Sequence, residues 1–256
     1  MRKWLVIVTL CLACSASAAA DAADGVTVWF ARHGKTLLNT LDRVQGWADS
    51  PLTEEGAQVA RYLGEGLKDI PFDSYYSGDA GRQRETLAII RAARSDRAAP
   101  VVEMKALREV CFGGFEGLPN HEMIGAVAKK RGLADDRQVL DEMMQGRLTL
   151  EQYLNTVAEV DREKLAERAG EVKARMQTAL REIIENAQKR GEKHVLVVSS
   201  GAAILTMIAD MTDDGRKNQP LPNAAVVKLV YEGGRINVTE LGAMRYVEAG
   251  KARLAP

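Results

Sequence analysis

Apolar residues along this chain fall into short β-branched runs, separated by longer stretches in which they recur every three or four positions. Val26-Thr27-Val28-Trp29-Phe30-Ala31 is the first such run and predicts a buried strand. Leu52 to Leu67 predicts a helix, with Thr53 as N-cap and Glu54 and Glu55 in its positive first turn. Phe72 to Ser77 reads as a second strand, Arg82 to Arg94 as a helix carrying Leu87, Ile89 and Ile90, and Val101 to Met104 as an edge strand. Asn120 to Leu165 is polar, Met-bearing and helix-prone, broken at Gly132 and Gly146. In Ala166 to Gln188, Val172, Met176, Leu180, Ile183 and Ile184 share one helical face. His194 to Val198 is the clearest central strand, Ala202 to Met211 the helix after it, and Asp213 to Pro222 a loop. Ala224 to Tyr231 and Arg235 to Leu241, joined across Gly233-Gly234, form a closing strand pair.

Strands alternating with helices predict a three-layer α/β/α sandwich around a mostly parallel sheet. The expected organisation is one domain over 25–256, with a helical insertion over about 119–165. That insertion reads either as a cap over the active site or as an extra helical layer. Ligands of such sheets bind beyond the carboxyl ends of the strands, which directs attention to the segments after Ala31, Ser77 and Val198.

Composition narrows the class. The 256 residues are 46% hydrophobic and 27% charged, with 35 basic and 35 acidic side chains. Such a chain buries a sizeable core, and its balanced charge argues against a general nucleic-acid partner. Arg2 and Lys3, the apolar run Trp4 to Ala13 and the small residues Ser15 to Ala20 have the parts of a secretory signal peptide over residues 1–20. The expectation is an exported, periplasmic or secreted protein with no stable membrane insertion once the leader is removed. An uncleaved anchor is the alternative. Cys11 and Cys14 belong to the leader, so Cys111 alone remains and no internal disulfide can close. Beside Phe112 it reads as a packing residue.

The chemistry lies in Arg32-His33-Gly34-Lys35-Thr36, directly after the first strand. A guanidinium offers a fixed fork of donors to phosphate, and a neutral imidazole can act as a nucleophile. Gly34 would let the backbone approach an anion. Alone, the tripeptide is equally the mark of a structural histidine. Its context is more specific: Asn39, then Arg43-Val44-Gln45-Gly46-Trp47-Ala48-Asp49-Ser50-Pro51-Leu52-Thr53-Glu54-Glu55-Gly56. Ser77-Gly78-Asp79-Ala80-Gly81-Arg82-Gln83-Arg84-Glu85-Thr86, Leu107-Arg108-Glu109, Phe112 to Gly117 and Leu221-Pro222-Asn223 follow in order. The series resembles the histidine phosphatase (phosphoglycerate mutase-like) superfamily across nearly all of the chain after the leader.

The resemblance implies catalytic roles for His33 and Glu109, and phosphate binding by Arg32 and Arg82. His33 would take up the phosphoryl group, while Glu109 would protonate the departing alcohol and then help activate water. Asn39, Gln45 and Gly46 are candidates for the pocket rim, and Arg43 for a peripheral anion contact or an ordinary surface charge. No cofactor is implied, and no His/Asp/Cys cluster has metal-ligand spacing.

One position departs from the family's pattern. Its second histidine stands in a Ser-His-Gly context after the central strand, whereas this chain reads Ser199-Ser200-Gly201. Ser200 can cap the next helix, whose Gly201 and Ala202 amides would face the anion. It can also serve as a weaker catalytic donor, or mark a phosphate-binding protein without turnover. Losing one preorganised donor costs about a hundred- to a thousand-fold in rate. His194 begins its strand at the wrong end to substitute, and His121 starts the insertion. Two functions therefore stand: an exported phosphatase acting on a small phosphomonoester, and a pseudophosphatase that binds phosphate or a phospholigand. A mutase fits less well, because export would separate it from glycolytic substrates.

Overall fold

A computed structural model describes residues 25–94 and 99–255. The expected leader lies outside the described residues. Six strands form one sheet: β1 (Val26–Arg32), β2 (Ser74–Ser77), β3 (Val101–Glu103), β4 (His194–Ser199), β5 (Val226–Glu232) and β6 (Arg235–Ala243). Their order is β3-β2-β4-β1-β5-β6. β3, β2, β4 and β1 run parallel, and β5 and β6 close the sheet antiparallel. β1 and β4, buried on both faces, occupy the centre, as their unbroken apolar runs require.

The helices are α1 (Leu37–Thr40), α2 (Glu54–Gly66), α3 (Gly81–Ala92), α4 (Asn120–Arg131), α5 (Asp136–Met144), α6 (Leu150–Val160), α7 (Ala169–Arg190), α8 (Gly201–Met207) and α9 (Arg245–Arg253). On one face, Leu63 and Leu67 of the α2 region and Leu87 and Ile90 of α3 pack on Trp29, Leu196 and Val198. On the other, Val172, Met176, Leu180, Ile183 and Ile184 of α7 and Ile204 of α8 pack on Val28, Phe30, Val195 and Val197. Alternate residues of each strand thus serve opposite layers. The arrangement is a three-layer α/β/α sandwich.

Asn120–Val160 folds as three helices, α4 to α6, with left-handed glycines at Gly132 (φ 69°) and Gly146 (φ 70°) ending α4 and following α5. Val127, Val139, Leu154 and Val157 join the α7 core. Elsewhere one expectation changes and one element appears for which none was stated. The helix after β4 stops at Met207, not Met211, and the segment after β6, which has few apolar residues, is helical as α9. α9 lies tightly on α2: a Cβ at Gly250 would stand 1.8 Å from the Tyr62 carbonyl oxygen. Glycine makes that crossing possible, so its signal was contact distance rather than an apolar stripe.

Candidate active site

β1 and β4 end side by side, with Arg32 opposite Ser199. The chain then leaves the sheet at His33, whose amide donates to the Ser199 carbonyl at 3.0 Å. His33 is buried, and its Nδ1 lies 2.8 Å from the Gly34 carbonyl oxygen. A carbonyl can only accept, so in the neutral ring Nδ1 carries the proton and the Nε2 lone pair is free. Burial lowers the His33 pKa well below its usual 6.5, and the positive charges of Arg32 and Arg82 lower it further. A neutral imidazole is the nucleophilic form.

The two arginines are held differently. One Arg32 guanidinium nitrogen donates to the Leu221 carbonyl, while its buried Nε has no partner. Burial lowers the Arg32 pKa, the charge of Glu109 opposes this, and the charge of Arg82 adds to it. Arg82, in the first turn of α3, is fully buried and grips the loop after α1. It donates to the Gly46 carbonyl at 2.7 Å, the Ala48 carbonyl at 3.0 Å and Asp49 Oδ1 at 2.9 Å. Its Nε also lacks a partner. Each arginine thus keeps a buried Nε without a partner, and the positive charge of both reaches the His33 imidazole.

Glu109, whose charge reaches Arg32, binds the start of α8. Its Oε1 accepts the amides of Val110 at 3.0 Å and Ala203 at 2.7 Å, and Oε2 accepts that of Ala202 at 3.1 Å. The carboxylate therefore caps α8. Ser200 occupies the N-cap position by backbone geometry, yet its side chain makes no cap bond. The expected capping role belongs to Glu109, and the Ala202 amide is taken by it instead of facing an anion. Gly201 packs against Arg32, where an added Cβ would come within 3.3 Å of its Cδ and Nε.

Several sequence candidates are committed elsewhere. The Gly34 amide donates to Thr86 Oγ1 at 3.0 Å, and a Cβ there would stand 2.6 Å from the Gly56 carbonyl oxygen. Gly34 thus permits β1 and α2 to meet. Gln45 Oε1 accepts from Thr36 Oγ1 and, at 3.4 Å, from Asn39 Nδ2, and Gln45 Nε2 donates to Ser50 Oγ at 3.1 Å. The Gly46 amide donates to Glu116 Oε2 at 3.0 Å. Asn39, Gln45 and Gly46 accordingly brace the loop that Arg82 grips. Arg43 donates to the Gly117 carbonyl at 2.7 Å. His121 is exposed on α4. Cys111 is buried, and burial raises its thiol pKa, which suits packing and not attack.

Three residues not singled out from sequence organise this end of the sheet. Glu116 accepts four backbone amides, from Gly46, Trp47, Ala48 and Phe112, and so welds the two loops together. Arg175 of α7 donates to the carbonyls of Ala106, Arg108 and Glu109, each at 2.8 Å, and pairs with Glu167. Asn223 donates to the His33 carbonyl at 3.0 Å. A cleft of about 730 Å³ lies apart, between α4 and the turn after α6, with Phe115, Leu118, Lys129, Val160 and Arg162 among its walls. None of the catalytic candidates lines it.

Residues 28–243 match the model of the histidine phosphatase superfamily, branch 1. The chain belongs to that superfamily. Among solved structures, a phosphoglycerate mutase from Bacillus anthracis str. Sterne is 38% identical with a TM-score of 0.83, covering 90% of this chain and 98% of the other. Among curated relatives, a 2,3-bisphosphoglycerate-dependent phosphoglycerate mutase from Gloeobacter violaceus is 37% identical over 91 residues. That match spans 36% of this chain and 42% of the relative's length. A phosphoserine phosphatase from Entamoeba histolytica, bound to 3-phosphoglyceric acid, shares the fold at 20% identity and a TM-score of 0.63 over 87% of this chain and 99% of its own. Phosphoglycerate mutases are thus among the chain's relatives, and a phosphatase shares its fold. None of the chain's described helices is long and apolar enough to cross a membrane.

Proposed function

We propose that this histidine phosphatase is an exported hydrolase of a small phosphomonoester, acting through a phosphohistidine at His33. The supporting observation is the buried imidazole: its Nδ1 is occupied by the Gly34 carbonyl, and two unpaired guanidinium N–H groups belong to the arginines whose charge it feels. Nε2 of His33 attacks phosphorus, the bond from phosphorus to the alcohol oxygen breaks, and the alkoxide takes a proton that the Glu109 carboxylate has first gained from solvent. Oε2 of Glu109 accepts a single amide, which leaves it a lone pair on which to carry that proton. Water then attacks phosphorus and gives a proton back to Glu109, and the bond from phosphorus to Nε2 breaks, releasing inorganic phosphate and restoring His33. Arg32 and Arg82 balance the charge on the equatorial oxygens. The leader-like residues 1–20 support export.

Labelled aryl phosphate should leave acid-labile phosphate on the wild type after rapid quenching, and none on His33→Ala. A His33→Ala protein with wild-type turnover ends this reading. Ser200 supports a second reading, a phospholigand-binding protein without turnover, since the family's pattern has a histidine there. A silent wild type together with strong turnover by Ser200→His would favour it.

A further inference from the structure

Directly after Arg82, the first turn of α3 buries a second polar side chain. Gln83 is fully buried, and its Nε2 lies 3.1 Å from the Leu107 carbonyl oxygen and 2.9 Å from Ser200 Oγ. Because a carbonyl oxygen only accepts, Leu107 fixes which way the amide faces. Turned over, Gln83 would set its own oxygen against that carbonyl. Ser199 Oγ also donates to Leu107, at 2.7 Å, so this acceptor is surrounded by donors. The Gln83 Oε1 has no partner and sits against Gly78, where an added Cβ would come within 1.9 Å of it.

The direction of the next bond follows. The amide N–H points at Ser200, so Ser200 Oγ accepts there, and its own hydrogen remains for another acceptor. No amide of α8 uses the hydroxyl as a cap, because Glu109 holds those of Ala202 and Ala203. Ser200 follows Ser199, whose carbonyl binds the His33 amide, and Gln83 follows Arg82. Ser200 also precedes Gly201, which packs against Arg32, and Ala202, which binds Glu109, so its residue neighbours the groups assigned above to phosphate.

We propose that Gln83 is a positioning residue: its amide holds Ser200 as an acceptor and so directs the Ser200 O–H to an oxygen of the bound phosphoryl group. This rests on the function proposed above. It gives the site an uncharged donor whose orientation is set by a neighbour and does not change with pH.

Inorganic phosphate is the probe, with affinity measured calorimetrically for the whole protein, Ser200→Ala, Gln83→Met and the double variant. Ser200→Ala should weaken binding about tenfold, the scale of one hydrogen bond to a charged group. Gln83→Met should weaken it several-fold with Ser200 present and not at all in the Ser200→Ala background. Equal weakening in both backgrounds, or none in either, overturns the proposal and leaves an Arg32-dependent phosphate site standing. A wild type that binds no phosphate removes both readings. Where Gln83→Met does not fold, Gln83→Glu serves: its carboxylate would accept the Ser200 hydrogen, so phosphate should weaken at least as much as in Ser200→Ala. Undiminished binding by that variant overturns the proposal equally.

Discussion

His33 and His194 sit at opposite ends of neighbouring parallel strands, and their surroundings differ in kind. His194 pairs with Thr27 at the amino end of the sheet, while His33 follows Arg32 at the carboxyl end. Burial lowers the pKa of both. At His194 the charge of Asp73 opposes the shift and that of Lys228 adds to it, and Nδ1 is buried without a partner. At His33 both neighbouring charges are positive, Nδ1 is satisfied, and the unpaired groups are arginine donors. A depressed histidine pKa therefore does not mark a site. Donors left unspent around an oriented ring do, because only they gain from an anion's arrival.

The largest expected effect comes from substituting the two rings. His33→Ala should lower kcat on an aryl phosphate by about four orders of magnitude or more, as loss of a covalent nucleophile does. His194→Ala should stay within about twofold, since it touches no reacting group. Comparable losses from the two would erase the contrast.

Next in size is Arg32→Ala. Removing a preorganised charge from a buried site costs about 3–4 kcal/mol, or a hundred- to a thousand-fold in kcat/KM. The stabilisation of the fold by added phosphate, read as a shift in Tm, should vanish with it. An exposed control such as Arg216, paired with Asp214 on the surface, should change neither.

A smaller effect concerns pH. In the proposed mechanism His33 must be neutral to attack, and its pKa lies well below 6.5 through burial, Arg32 and Arg82. In the free enzyme, kcat/KM should therefore hold level as pH falls through 6.5, with its acid limb starting well below. Arg32→Ala removes one of the two positive neighbours, so that limb should move toward higher pH. A limb centred at 6.5 in the wild type would contradict the buried, cation-flanked ring.

The sequence exposed the chemistry more fully than its support. Arg32, His33, Arg82 and Glu109 stand in ordered motifs, and the fold brings the charges of Arg32 and Arg82 to His33 and that of Glu109 to Arg32. Glu116 and Arg175 were not legible, because they bind backbone atoms of other segments, and backbone atoms leave no signature in side-chain order. Glu116 and Asn223 had a visible cue, their places in the Phe112 to Gly117 run and in Leu221-Pro222-Asn223. The strands were legible from unbroken apolar runs. α9 was not, since it is anchored by Tyr246, Val247 and the approach of Gly250 to α2. The capping of α8 was assigned to Ser200, the local candidate, whereas a carboxylate distant in sequence outcompetes it.

The smallest effect separates the histidines by stability. Each has a folded pKa below that of the unfolded chain, so the unfolded state takes up protons first as pH falls. Their contribution to stability is complete above about 6.5 and declines as pH drops from there toward the folded values. His194→Gln removes one source of that decline while leaving the site intact. Its Tm should fall less than the wild type's between neutral and mildly acidic buffer, by no more than about 2 °C given partial solvent access. The acid limb of kcat/KM should not move, because His194 lies at the far end of β4 from the reacting groups. If the substitution shifted that limb, the two ends of the sheet would be coupled electrostatically, and the lowered pKa of His33 would need a source beyond its burial and its two arginines.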